Sequence, residues 1–235
     1  MVGLSSVPRE AVRVRITPRV VAPDLPGLGE SEPLPLLDGE SFASWLRGTM
    51  QAVGFDRPTV VAHSLGGSLA ARFAGGAPGE LAGLVVYGAP GIGPYRMPPR
   101  LMYCAIRFSL RPTAANAERF DRFLLYDLDA TRARDPDWYR AFDEYNRSQA
   151  RVKHVKHTMN RLVSLGTKRI PDEELRRIDC PVHLLWGRAD RLVPLRTAQA
   201  AVEAHHWPLH VVEGAAHAPH IEQPDAFLAV LGKIL

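Results

Sequence analysis

Ser64, Asp190 and His217 are side chains of the types that together can open a carbonyl compound. A serine hydroxyl is a poor nucleophile until a base takes its proton, and imidazole suits that task near neutral pH. A carboxylate bound to the second ring nitrogen fixes the tautomer and stabilises the imidazolium. Each candidate follows a short run with a strand reading: residues 59–62 before Ser64, 182–186 before Asp190, and 209–212 before His217. The carboxyl ends of strands in a parallel sheet share one edge, so residues distant in sequence converge there.

The stretch TVVAHSLGGSLA, residues 59–70, is the one the rest of the chain is organised around. A strand that turns sharply into a helix strains its corner residue and exposes that side chain above the sheet. Small neighbours two positions either side, here Ala62 and Gly66, leave room for such a turn. A serine in an ordinary glycine-rich turn fits the same short string.

The elements that must position these residues read as an α/β pattern. Val12, Val14 and Ile16 alternate with arginines, as in a half-exposed strand. Residues 20–22 read as a buried strand, and 23–31 as a tight loop in which Asp24 caps backbone groups. Ser41 opens an amphipathic helix with Phe42, Trp45, Leu46, Met50 and Val53 on one face, ended by Gly54. Residues 84–87 form the next strand, closed by GAPGIGP. A helix over 195–204 precedes the 209–212 strand, and Pro224 starts a closing helix with Phe227, Leu228, Leu231 and Ile234 inward. Short β-branched strands alternating with helices predict a mostly parallel sheet covered by helices on both faces.

That alternation stops between Ile92 and Asp179, where helical patterning carries many aromatics and arginines. The expected organisation is a core of residues 1–91 and 180–235, with 92–179 inserted as a helical cap. A separate helical domain or a long packed excursion fits the same pattern. His154 and His157 stand three apart in this region, but no third ligand is near in sequence, so a solvated basic face is the reading.

The 235 residues suffice for one large domain with a substantial core. Hydrophobic residues at 46% and charged ones at 23% describe an ordinary globular composition. The net charge of +4 comes from scattered arginines, with no basic run interleaved with aromatics, so no nucleic-acid partner is expected. Cys104 and Cys180 are far apart and lack metal-ligand spacing, which reads as packing thiols in a reducing compartment. Residues 1–20 hold no continuous apolar segment, so neither a leader nor a membrane anchor is expected, and the cytoplasm is the default. No cofactor or metal is called for. A small molecule is the expected partner; the oligomeric state stays open, a homodimer included.

From Arg19 onward the sequence resembles the α/β-hydrolase family. APDLPGLGES resembles the loop after the family's fourth strand, AHSLGG its nucleophile elbow, GRADRLVP its acid loop and GAAHAPHIEQP its histidine loop. The resemblance implies Ser64 as nucleophile, Asp190 as acid, His217 as base and the Leu65 N–H as an oxyanion donor. The order Ser, Asp, His is the family's order. His63 is common beside the nucleophile and is not the base; His220 lies three residues past the base position. Relatives that cleave haloalkanes or epoxides carry Asp where this chain has Ser64.

The family's sheet has further strands before the APDLPG loop, the third ending in an HG motif whose loop supplies a second oxyanion donor. No HG motif precedes Arg19. A weak catalyst with an unpaired strand edge is therefore expected of the chain as written, unless its true start lies upstream. The leading expectation is a cofactor-independent serine hydrolase acting on a small apolar or amphipathic ester or lactone. The alternatives are hydrolysis of a carbon–carbon bond beside a carbonyl, and a ligand- or partner-binding protein of the same fold with impaired turnover.

Overall fold

The apolar runs that read as strands pair with one another in the computed structural model, which describes residues 19–235. The alternating stretch at 12–16 lies outside the described residues. Strands β1 (Thr59–His63), β2 (Gly83–Tyr87), β3 (Val182–Gly187) and β4 (Leu209–Val212) form one parallel sheet in the order β1-β2-β3-β4. Helices α1 (Gly39–Ala52) and α2 (Ser64–Gly76) flank β1 in sequence. Between β2 and β3 come α3 (Pro99–Leu110), α4 (Ala114–Leu124), α5 (Leu128–Arg134), α6 (Pro136–Gln149), α7 (Lys153–Gly166) and α8 (Asp172–Leu175). Helix α9 (Leu195–His205) joins β3 to β4, and α10 (Pro219–Glu222) and α11 (Pro224–Ile234) close the chain.

The two-residue period of the strands decides which layer each side chain joins. Leu84, Val86, Val182, Leu184 and Trp186 pack with Ala70, Phe73 and Ala74 of α2 and with Ala198 and Ala201 of α9. Val85, Tyr87 and Leu185 point the other way, onto Phe227 and Leu231 of α11. Both faces of the sheet are thus covered. Helix α1 starts earlier than Ser41, because Asp38 caps it. Asp38 accepts from the Ser41 N–H at 2.9 Å, and the Ser41 hydroxyl accepts from the Asp38 N–H at 3.0 Å. Such a reciprocal cap stabilises a helix start by about 1 kcal/mol. Gly54, at φ 71°, turns the chain out of α1 as expected.

Residues 20–22 correct one expectation: they are not a strand and are not buried. Val20 is 76% exposed and Val21 37%. Among the described residues β1 is the sheet's outer strand, so this run has no ladder beside it to join. Strand propensity expresses itself only where a backbone to pair with and a face to bury are both present. The loop that follows is as expected: Asp24 accepts from the Glu30 N–H at 3.1 Å.

The helices of 92–179 pack on the rest at both ends. Ile92, Ile170 and Leu175 lie in the main core, and Leu162 of α7 is fully buried against Leu37, Phe42 and Leu69. Leu125, Leu128 and Tyr139 cluster with Ala218, next to His217. Aromatics of this region pack largely on each other: Phe108 stacks on Phe120 and Trp138 on Phe142. Cys104 and Cys180 are both free and buried.

Two stability predictions arise here. The tight glycine behind the β1–α2 corner is Gly67 and not Gly66. A Cβ on Gly67 would lie 3.0 Å from the Ala62 carbonyl oxygen and from Ala89 Cβ, whereas one on Gly66 would meet nothing within 4 Å. Gly66→Ala is therefore expected to hold or raise the thermal midpoint through helix propensity, worth about 1 kcal/mol, and Gly67→Ala to lower it. Equal midpoints for the two variants would refute this packing argument.

The second prediction concerns Asp121, which accepts from the Tyr139 hydroxyl at 2.6 Å. Burial lifts its carboxyl from the ordinary 3.8 to about 6. Between those values the unfolded chain releases this proton while the folded chain keeps it. Stability therefore declines as pH rises through that window, by on the order of 3 kcal/mol. Asp121→Asn keeps an acceptor for Tyr139 and should flatten that slope in denaturant unfolding between pH 4 and 6. An unchanged slope would show that the group titrates normally.

Candidate active site

Strand β1 ends at His63 and helix α2 begins at the next residue, so the chain reverses curvature at Ser64 with no connecting loop. Ser64 takes φ 54°, the left-handed region that L side chains rarely enter. The strain of such a residue costs about 1–3 kcal/mol and places its side chain above the sheet edge. The strained corner is as expected, but Gly66 is not the small residue it needs: Gly67 supplies the close approach.

Asp190 follows β3 in a short turn, and His217 lies in the loop after β4. The parallel registers bring all three loops to one edge of the sheet. His217 Nε2 lies 3.0 Å from Ser64 Oγ, and its Nδ1 lies 2.9 Å from Asp190 Oδ2. A carboxylate only accepts, so Nδ1 carries the proton and Nε2 presents its lone pair to the serine hydroxyl. Asp190 is 5% exposed, His217 5% and Ser64 8%. The second oxygen of Asp190 accepts from the Leu192 and Val193 N–H groups, each at 2.8 Å, which fixes the carboxylate plane. Water has little access to this chain of bonds.

The loops that carry Asp190 and His217 also grip each other. The Ala189 N–H donates to the Ala215 carbonyl at 3.0 Å. A Cβ on Gly187 would fall 1.9 Å from the Ala216 oxygen, so only glycine allows that approach. Gly88, at φ 60°, passes under the His217 ring, where a Cβ would lie 3.0 Å from Cε1.

His63 braces the His217 backbone. Its Nε2 donates to the His217 carbonyl at 2.8 Å, and its ring stacks on Tyr87 with centroids 4.6 Å apart. Burial, with His217 and His220 close by, holds His63 well below the ordinary histidine range, so it stays neutral. His220 packs edge-on to Tyr87 and to His63, and burial pushes it down to about 4. It takes no part in the bonds to Ser64.

Leu65 is the second residue of α2, and its side chain packs near Gly166 of α7. The His63 side chain makes no cap hydrogen bond to this helix, and the first-turn N–H groups of a helix find no partner within it. His154 and His157 stand exposed on α7. Among the described residues no group of three or more His, Cys, Asp or Glu could hold a metal ion. No helix of the described residues is long and apolar enough to cross a membrane.

Sequence reasoning missed Gly88, Ser68 and Glu222. Ser68 is fully buried and accepts from the Gly91 N–H at 2.9 Å, tying α2 to the turn after β2. Glu222 lies buried under the histidine loop. Its only sequence signal was a carboxylate among small and apolar residues in GAAHAPHIEQP.

Comparison with known proteins agrees with this geometry. The Alpha/beta hydrolase family model matches residues 6–230. The 2-hydroxy-6-oxononadienedioate/2-hydroxy-6-oxononatrienedioate hydrolase 1 of Dechloromonas aromatica (strain RCB) is 25% identical over 220 residues, covering 89% of this chain and 73% of that protein. The 2-succinyl-6-hydroxy-2,4-cyclohexadiene-1-carboxylate synthase of Serratia proteamaculans (strain 568) is 29% identical over 228 residues, covering 92% and 82%. Among solved structures, the 2-hydroxy-6-oxo-6-phenylhexa-2,4-dienoate hydrolase from Rhodococcus sp. strain RHA1 superposes with a TM-score of 0.75 at 23% identity, over 90% of this chain and 78% of that one. A strand-to-helix corner bearing a strained serine, three loops on one sheet edge and a match over nearly the whole length lead to one conclusion: the chain belongs to the alpha/beta hydrolase family.

Proposed function

We propose that this chain is a cofactor-independent serine hydrolase that opens a carbonyl compound through a covalent bond to Ser64. The observation that carries the reading is the unbroken buried run from Asp190 through His217 to Ser64, with both links at 2.9–3.0 Å. In the first step His217 Nε2 takes the Ser64 proton as Oγ bonds to the carbonyl carbon. Asp190 stabilises the imidazolium that results. The oxyanion develops beside the first turn of α2, where the Leu65 N–H and the positive end of the helix stabilise it. His217 then returns the proton to the departing alkoxide, leaving an acyl-Ser64. Water, deprotonated by the same nitrogen, attacks that acyl carbon and releases the acid with Ser64 restored.

A small apolar or amphipathic ester or lactone is the substrate class this scheme serves directly. The relatives favour a second reading, hydrolysis of a carbon–carbon bond beside a carbonyl. Several of them are named as hydrolases of 2-hydroxy-6-oxo dienoates. There the same addition is made to a ketone, and the carbon leaving group departs as a conjugated enol after taking a proton.

A fluorophosphonate probe with mass mapping tests the nucleophile: label on Ser64, and none in Ser64→Ala, is expected. Label on another serine would remove the assignment. Asp190→Asn should fold normally and lose about four orders of magnitude in turnover, the cost of the wrong tautomer. A side-by-side assay of short-chain aryl esters and a 2-hydroxy-6-oxo dienoate then separates the two substrate classes. Turnover of the dienoate at rates well above the esters would displace the ester reading.

A further inference from the structure

The backbone around His217 is held by several hydrogen bonds from outside its own loop. The Ala215 carbonyl accepts from Ala189, the His217 carbonyl from His63, and the His217 N–H donates to the Leu124 carbonyl at 3.0 Å. The N–H groups on either side of it, those of Ala216 and Ala218, both donate to one atom. That atom is Glu222 Oε1, at 2.9 and 3.1 Å. Its second oxygen, Oε2, accepts from the Tyr126 N–H. Glu222 is 2% exposed, so these bonds form away from water. Successive N–H groups gathered around one anion make a rigid backbone nest.

A carboxylate is the one side-chain group of this size with two acceptor atoms and no donor. Here three buried N–H donors face it, two from the histidine loop and one from the segment between α4 and α5. That segment is gripped at every residue. Leu124 accepts from His217, Leu125 from the Arg191 guanidinium at 2.9 Å, and Tyr126 donates to Glu222. Arg134 of α5 reaches back to the Ile221 and Glu222 carbonyls, each at 2.5 Å.

We infer that Glu222 is the positioning residue of the base: its buried carboxylate fixes the histidine loop, so that His217 spans Ser64 and Asp190, and ties that loop to residues 124–126. The inference rests on the reading of His217 as the base. Glu222 touches neither the nucleophile nor the space beside it. Its effect passes through the Ala216–Ala218 backbone.

The test compares Glu222→Gln and Glu222→Ala with the parent chain at equal folded concentration. An amide has one acceptor, so Gln can serve the histidine loop or Tyr126 but must turn its NH2 toward a donor on the other side. Ala abandons all three donors. Fluorophosphonate labelling of Ser64 is expected to slow by about tenfold in Glu222→Gln and about a hundredfold in Glu222→Ala, the cost of a base displaced by about 1 Å. With any substrate found, kcat should fall with KM nearly unchanged. The downfield proton resonance of His217 Nδ1–H on Asp190 should broaden or vanish in both variants. A merely structural role would lower the melting temperature and leave the rate of the folded fraction alone; labelling at the parent rate would overturn the proposal. If the parent chain is not labelled at all, the reading of Ser64 fails instead. The imidazole resonance then decides for Glu222 alone, and its survival in both variants would overturn the positioning role. Should Glu222→Ala not fold, the Gln variant carries the same measurements.

Discussion

The left-handed backbone at Ser64 is the constraint on which the rest of this structure depends. Left alone, a serine at φ 54° would relax, because the conformation costs about 1–3 kcal/mol. It is held because both sides of the corner are immovable. Before it, all five residues of β1 are registered against β2. After it, α2 is buried along Gly67, Ser68, Leu69, Ala70, Ala71, Phe73 and Ala74, which lie against the sheet and α7. Straightening the corner would lift that helix out of the core, losing far more burial than the strain would return. The small residues of α2 serve this end, since bulk at Gly67 would keep the helix from seating.

The other two corners solve a different difficulty, the placing of buried charge. Asp190 and Glu222 each put a carboxylate where water has almost no access. An isolated buried carboxylate is unfavourable by many kcal/mol, and backbone N–H groups offset that without bringing a second charge. Asp190 takes two such donors from its own turn, and Glu222 takes three from two separate segments. At Glu222 burial outweighs the hydrogen bonds, and its carboxyl sits above the ordinary range, with nearby Asp190 adding to the rise. Loops made of Gly and Ala let backbones come close enough to supply these donors. Gly187 against the Ala216 carbonyl is the closest such approach.

The sheet and the three converging loops were legible because each rests on a local signal. β4 falls on the residues with a strand reading, 209–212, and Pro224 starts α11 where its missing N–H costs nothing. Ser64, Asp190 and His217 were legible because residue type and strand-end position together restrict what they can do. Other features depend on neighbours that no local pattern reveals. Residues 20–22 have strand-forming side chains and no strand beside them among the described residues. Gly66 and Gly67 are indistinguishable as letters, yet only one of them faces the Ala62 carbonyl. Glu222 is only a carboxylate among small and apolar residues in the sequence, and its partner Tyr126 lies nearly a hundred positions earlier.

The helices of 92–179 are joined to the site by bonds of two kinds, and the difference matters for how they respond to a ligand. On the α7–α8 side the attachment is apolar and deep: Leu162, Ile170 and Leu175 are almost wholly buried in the core. Displacing those side chains costs several kcal/mol each. On the α4–α5 side hydrogen bonds to the loops that carry Asp190 and His217, each worth about 1 kcal/mol net, join a smaller apolar cluster of Leu125, Leu128 and Tyr139 with Ala218. Residues 124–126 are bonded to the His217 backbone itself. A ligand that displaced α4 or α5 would work against the bonds that hold the His217 backbone. Access to the site and the setting of His217 are in that sense one mechanical problem.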